Sequence, residues 1–259
     1  MAIAIVETAS GPVSIAVVCD GVSGSDRADE ASQAAADAAL AVLLPATRAG
    51  EDAAGASARA VEAAQAAVAS LSTGPAGDQR LESPSSTFVS AVVTSKSATV
   101  CWLGDSRAYW LGSGPEPAAR QLTADDSVVA ELVSAGGLSA AEAAASPEAH
   151  VITGWLGADL SGTSPHITEF VPPGPGAVLL CSDGLWNYLG DASELAQHAA
   201  AEADAGPIGT ARRLAEFALV AGGADNITVA VALFPSAGDR PTAQLPLVTT
   251  EPTVRSPDE

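Results

Sequence analysis

Acidic residues stand beside small ones where apolar runs end: Val-Val-Cys-Asp20-Gly21, Trp-Leu-Gly104-Asp105-Ser106 and Leu-Cys-Ser-Asp183-Gly184. A fourth acid, Asp225, sits at the entry to the last apolar run, in Gly-Gly-Ala-Asp-Asn-Ile-Thr. A single Asp-Gly at a strand end is ordinarily a turn. Four such acids read differently. If the runs are strands lying side by side, their carboxylates converge at one end of a sheet, where mutual repulsion is costly without a cation. Hard, anionic oxygens of this kind suit Mg²⁺ or Mn²⁺. No Cys or Ser nucleophile motif accompanies them. Cys19, Cys101 and Cys181 are widely separated and each lies inside an apolar run, so they read as small buried hydrophobes of a reducing compartment. His150, His166 and His198 are isolated and have no Cys or His at transition-metal spacing.

The elements that must position these acids follow from pattern. Residues 3–6 and 13–19 are rich in β-branched residues around an Ala-Ser-Gly-Pro turn, which predicts a hairpin apolar on both faces and therefore buried. Alanine-rich segments over 27–44 and 51–71 predict helices covering one sheet face, the first stopped by Pro45 and the second by Ser-Thr-Gly-Pro. Residues 77–84 predict a polar loop. The closely spaced runs 87–93, 98–103 and 108–111 predict an antiparallel meander. Short helices are expected over 127–134 and 139–145, the latter with a Ser139/Glu142 capping box, and Asp125 and Asp126 read as N-cap candidates. A buried strand at 178–181, helices over 192–203 and 208–220 and a strand over 227–234 complete a domain spanning 1–234. Residues 235–259 are Pro, Thr, Ser and Asp without periodicity and predict a disordered tail. Clustered strands interrupted by paired helices predict an α+β layered domain: a four-layer α-β-β-α sandwich, with a central antiparallel β-sandwich flanked by helices.

Composition narrows the partners. With 31 acidic against 11 basic residues the chain carries a net charge of −20, which repels nucleic-acid backbones and anionic membrane surfaces. No apolar stretch approaches a membrane span, and the N-terminus lacks the basic flank of a signal peptide, so a cytoplasmic, soluble protein is expected.

The order and wording of the motifs resemble the protein phosphatase 2C family, the PPM-type metal-dependent serine/threonine phosphatases of bacteria, over about residues 3–234. Asp-Gly-Val-Ser-Gly (20–24) resembles the family's Asp-Gly-x-Gly-Gly, and Leu-Gly-Asp-Ser-Arg-Ala-Tyr (103–109) its Gly-Asp-Ser-Arg segment. Gln-Leu-Thr-Ala-Asp-Asp-Ser (121–127) is similar to Leu-Thr-x-Asp-His-Ser. Leu-Cys-Ser-Asp-Gly-Leu-Trp (180–186) and Asp-Asn-Ile-Thr-Val (225–229) are similar to the last two metal motifs. The resemblance implies that Asp20 bridges two Mn²⁺ or Mg²⁺ ions, that the Gly21 carbonyl ligates the second, and that Asp183 and Asp225 complete the first. It also implies that Asp105, with Asp183, holds a third, weaker ion. A metal-bound hydroxide then attacks phosphoserine or phosphothreonine directly, on a phosphorylated protein, the substrate of a serine/threonine kinase, and a monomer is expected.

The chain departs from the family pattern at places. The family opens with a segment carrying a phosphate-gripping Arg and an Asn-Glu-Asp-like triplet, which no residue before Arg27 matches. Two readings stay open: a phosphatase whose start lies further upstream, or a phosphatase-like module that binds a phosphoprotein or kinase without cleaving. Ser23 replaces a Gly, Ser25 a His, Asp126 the His of Asp-His-Ser, and Gly154 an Arg. Arg107 reads first as an Arg that orders its turn by pairing with a nearby acid. Trp102, Trp110, Trp155 and Trp186 read as core or rim packing, the last two as walls of a substrate groove.

Overall fold

In the computed structural model, residues 1–72, 83–113, 119–139, 142, 146, 148, 151–159, 164–200 and 206–234 are described. The apolar runs form strands, and most of them are buried on both faces, as that pattern requires. The expected hairpin is corrected in part: its first strand, Ala2–Thr8 at a sheet edge, leaves Ile3 and Ile5 exposed on one face, while its second, Gly11–Val18, is covered. A five-stranded antiparallel sheet is ordered β1 (Ala2–Thr8), β2 (Gly11–Val18), β4 (Phe88–Val93), β5 (Ala98–Leu103), β9 (His166–Phe170). A four-stranded sheet is ordered β11 (Val229–Phe234), β10 (Gly176–Cys181), β6 (Arg107–Gly112), β7 (Ala119–Gln121). The two-residue strands β3 (Ser85–Ser86) and β8 (Leu156–Gly157) pair apart from both.

Alternation along each strand sorts its side chains between layers. Along β10, Val178 and Leu180 enter the core between the sheets, with Val89, Ala91, Trp110, Phe170 and Phe234, while Leu179 and Cys181 face outward. The outer face of the five-stranded sheet is covered by α1 (Ala28–Ala49) and α2 (Ala53–Ala69). Both helices bury a stripe of small residues in one core cluster, Ala31, Ala35 and Ala39 on α1 and Ala56, Ala60 and Ala64 on α2. The outward residues of the second sheet pack on α5 (Ala192–Ala200) and α6 (Gly206–Ala221) through Leu195, Leu214 and Ala218. The four-layer α-β-β-α sandwich is therefore the observed architecture.

The structure corrects the elements in places. α1 does not stop at Pro45 but runs through it to Ala49, where Gly50 closes it at φ 69° with its N–H on the Ala46 and Thr47 carbonyls. The ring lies on the exposed face of the last turns, four residues after exposed Ala41, so the hydrogen bond that Pro45 cannot donate falls on the exposed side while Leu43 and Ala46 remain buried. Pro45→Ala should restore that hydrogen bond and raise stability by about 1–2 kcal/mol, after allowance for the freer unfolded chain; urea unfolding of the two forms measures it. The expected meander also breaks. β4 and β5 pair, but β6 leaves for the second sheet through Gly104–Ser106, with Gly104 at φ 101°. The cap of α3 (Val128–Ser134) is Ser127, whose hydroxyl accepts from the Ala130 N–H, and not Asp125 or Asp126. The capping box is present: Ser139 N–H and Oγ–H both donate to Glu142. The remainder of the 139–145 helix, most of the 77–84 loop and the 235–259 tail lie outside the described residues.

Candidate functional site

Strand register brings the acids together. The end of β2 lies beside the start of β4 and the end of β5, since Val18 pairs with Val89 and Phe88 with Leu103. In the second sheet the end of β10 lies beside the starts of β6 and β11, because Cys181 pairs with both Arg107 and Val229. The Gly104–Ser106 crossing joins these two corners. One edge of the sandwich thus receives Asp20 after β2, Asp105 in the crossing, Asp183 opening α4 (Asp183–Trp186), and Asp225 ahead of β11. All the acids picked from sequence reach this edge.

Hydrogen bonds stitch the corner. Thr87 N–H donates to the Asp20 carbonyl at 2.8 Å, Asp20 N–H donates to Thr87 Oγ1 at 3.1 Å, and Ser86 Oγ–H donates to the same Asp20 carbonyl at 2.9 Å. Thr87 Oγ1 and Ser106 Oγ are 2.7 Å apart, which ties the Asp20 corner to the residue after Asp105. On the other sheet Ser182 Oγ–H donates to the Asn226 carbonyl and accepts from Thr228 N–H, both at 3.0 Å, locking the residues beside Asp183 and Asp225. Backbones approach so closely that only glycine fits: a Cβ at Gly21 would stand 2.3 Å from the Ala28 carbonyl oxygen, and one at Gly184 2.3 Å from the Asn226 oxygen. Trp186 Nε1–H donates to the Asp105 carbonyl at 2.9 Å.

Arg107 pairs with an acid, as the turn-ordering reading expects. Its Nη2 lies 2.6 Å from Asp125 Oδ2 and its Nε 2.9 Å from Asp125 Oδ1, with both side chains largely buried. The guanidinium also lies 3.8 Å from the Trp186 ring centroid and donates to Tyr109 Oη. The sequence gives little sign of Thr87, Ser106 and Ser182; the only hint is a hydroxyl beside an apolar run. His166, which reads from the sequence only as an isolated histidine, meets Asp126 at 2.8 Å.

The electrostatics are those of crowded acids. Burial first, then the charge of Asp183, a hydrogen bond to Asp183, and the charges of Asp225 and Asp105 push Asp20 from its ordinary 3.8 up to about 8. Burial, then Asp183 and Asp125, push Asp105 up to about 7. A carboxyl raised in this way holds its proton more tightly in the folded state than in the unfolded chain. Its contribution is full below about pH 4 and is lost as pH rises through about 7 and 8. The melting temperature of chelator-treated protein should therefore fall between pH 4 and pH 8, and added Mn²⁺ should restore more of it at pH 8 than at pH 5. A thermal scan series with and without Mn²⁺ checks this; a loss that Mn²⁺ does not reduce at pH 8 would contradict it.

Among the described residues no three His, Cys, Asp or Glu side chains are spaced to grip one ion. Asp20 and Asp183 are in direct contact, and Asp105 and Asp225 act on them through charge. That arrangement still fits Mg²⁺ or Mn²⁺ chemically, because Mg²⁺ keeps several waters and needs only one or two carboxylates, and because a cation relieves the repulsion that raises Asp20. Thiol chemistry does not fit: the cysteines are free and buried, and burial pushes Cys19 and Cys101 up to about 12. A cleft of about 330 Å³ beside Thr8, Arg48 and Lys96 lies at the opposite end of the strands, and no acid of the site borders it.

Comparisons with known proteins agree on one family. The family model described as Protein phosphatase 2C matches residues 2–206, a span that holds Asp20, Asp105 and Asp183 and ends before Asp225. The serine/threonine protein phosphatase PstP of Mycobacterium tuberculosis is 32% identical over 154 residues, covering 59% of this chain but only 28% of its own length. The solved structure of the serine/threonine phosphatase Stp1 from Staphylococcus aureus superposes with a TM-score of 0.71 at 25% identity, over 91% of this chain and 89% of that one. The PstP catalytic domain, solved in complex with two manganese ions, superposes with a TM-score of 0.65 at 28% identity, over 88% and 89% of the two chains. The layered sandwich, the ordered motifs and the family model coincide over most of the sequence, and the chain belongs to the protein phosphatase 2C family.

Proposed function

We propose that the protein hydrolyses phosphoserine and phosphothreonine on other proteins, using Mn²⁺ or Mg²⁺ held at the acidic edge. The observation that carries this reading is the convergence of Asp20, Asp105, Asp183 and Asp225 from both sheets on one edge, in a chain of this family. Asp20, the Gly21 carbonyl, Asp183 and Asp225 would hold the principal ions, and Asp105 with Asp183 a further one. Divalent ions supply there an activated water and positive charge against the transferring phosphoryl group.

The chain's own residues do the rest. Asp20, whose carboxyl burial and the charge of Asp183 push up to about 8, would lose its proton when a cation occupies the edge. Thr87, Ser106 and Ser182 hold the backbones that carry the acids, so the carboxylates pay little reorganisation. Arg107, paired with Asp125, stacks on Trp186, whose Nε1–H donates to the Asp105 carbonyl, so the guanidinium has a structural role behind the turn. The buried thiols offer no competing nucleophile. Phosphate release from phosphoserine, phosphothreonine and phosphotyrosine peptides tests the substrate class. Release from the first two in Mn²⁺ and none in chelator is expected; release confined to phosphotyrosine, or unaffected by chelator, would overturn the reading.

A further inference from the structure

Asp126 holds the strand-crossing turn through both backbone groups of one residue, Gly104. Its backbone N–H donates to the Gly104 carbonyl at 3.0 Å, and its Oδ2 accepts from the Gly104 N–H at 2.8 Å. Gly104 has φ 101°, and a Cβ there would meet Thr87 at 3.0 Å and the Gly154 carbonyl oxygen at 3.1 Å. Gly104 therefore has no side chain to anchor its end of the turn, although the turn delivers Asp105 to the edge; the far end is held by Ser106 on Thr87. The second oxygen of Asp126 is also used: Oδ1 lies 2.8 Å from His166 Nε2. His166 is itself fixed. It pairs with Trp102 across β5 and β9 and stacks on that ring with centroids 5.0 Å apart and planes at 23°. Trp102 Nε1–H in turn donates to the Ala124 carbonyl at 2.7 Å, two residues before Asp126.

We infer that His166 and Asp126 form a positioning pair for Asp105: the imidazole fixes the outer oxygen of Asp126, so that the inner oxygen holds the Gly104 turn and sets where the Asp105 carboxyl stands against Asp183. An exposed His–Asp pair by itself contributes little. This one differs because Asp126 is largely buried, with a side-chain exposure of 16% against 49% for His166, and because its other oxygen is committed to the turn. The inference rests on the reading of Asp105 as a cation-binding carboxylate. Partners that orient a ligand from behind it are worth about 10–100-fold in metal affinity.

The test is Mn²⁺ titration calorimetry on the full chain, with melting temperatures alongside, for the unaltered protein, His166→Ala, His166→Gln, Asp105→Asn and the Asp105→Asn/His166→Ala double variant. His166→Ala should weaken the weakest Mn²⁺ step by about tenfold. His166→Gln, whose amide nitrogen reaches the same place as Nε2, should restore most of it, and His166→Ala should add nothing once Asp105 is Asn. Unchanged Mn²⁺ affinity in His166→Ala overturns the inference, as does an equal loss in the Asp105→Asn background or no rescue by Gln. If Asp105→Asn itself binds Mn²⁺ like the unaltered protein, the cation reading of Asp105 fails first and the pair loses its purpose with it.

Discussion

Asp183→Asn should reduce Mn²⁺-dependent phosphate release from a phosphothreonine peptide by about 10²–10³-fold, the scale on which removing one preorganised charge-stabilising group is felt. Asp183 is the hub of the edge: its charge acts on both Asp20 and Asp105, and it is in direct contact with Asp20. Asn keeps the size and the first-turn position on α4 and removes only the charge. Asp105→Asn should cost less, because Asp105 stands at one proposed ion position and Asp183 at two. The same substitution has an opposite effect on the metal-free fold. Relief of repulsion should leave chelator-treated Asp183→Asn at least as stable as the unaltered protein at pH 8, although its phosphate release is reduced. Steady-state rates and thermal scans in chelator check both halves. Activity within a few-fold of the unaltered protein, or equal Mn²⁺ affinities for the two variants, would contradict the assignment.

Asp125→Ala should be the most destabilising single change outside the core, by about 3–5 kcal/mol, because it strands a buried cation. Arg107 and Asp125 are exposed to only 16% and 13%, and the guanidinium is enclosed by Trp186 and Tyr109. Without Asp125 that charge loses its hydrogen-bonded counter-ion and keeps little water in its place. For a domain of this size the loss corresponds to a fall in melting temperature of about 10 °C. Removing both charges together, as Arg107→Met with Asp125→Leu, should recover most of the stability, since an apolar pair of similar volume replaces the ion pair without desolvating it. Thermal unfolding of the single and double variants measures this; a single variant within about 1 kcal/mol of the unaltered protein would show the pair to be solvated.

Much of the fold was legible because the central strands β4, β5 and β10 are buried on both faces. Continuous runs such as Val-Ser-Ile-Ala-Val-Val-Cys leave few alternatives to a covered sheet, and the alanine stripes on α1 and α2 repeat at helical spacing. Errors arose where tertiary context decides. Pro45 reads as a stop locally, yet burial of Leu43 and Ala46 on either side carries the helix past it. The run of strands over 87–111 reads as one meander because sequence spacing does not say which sheet a strand joins; Gly104, with its positive φ, takes β6 away. β9 escaped notice because its exposed polar and apolar residues, His-Ile-Thr-Glu-Phe, make a weak edge strand.

The site was legible to a similar depth. Each acid was visible as a residue type where an apolar run ends or, for Asp225, begins, and the antiparallel register explains why they arrive at one edge. Their supports were not, because they join residues far apart in the chain: Thr87 to Ser106, Ser182 to Asn226, and Asp126 to His166 across 40 positions. Asp125 and Asp126 read as helix caps from their neighbours alone. In the fold Ser127 caps the helix, and the two acids turn back to hold Arg107 and Gly104.

Calorimetric titration of chelator-treated protein with Mn²⁺ at pH 8 tests the central claim most directly. Binding of more than one ion, with protons released as Asp20 and Asp105 ionise and with the signal lost in Asp183→Asn, is the predicted result. Absence of binding in a folded sample, or binding that Asp183→Asn leaves intact, would contradict the account of the acidic edge as the working site.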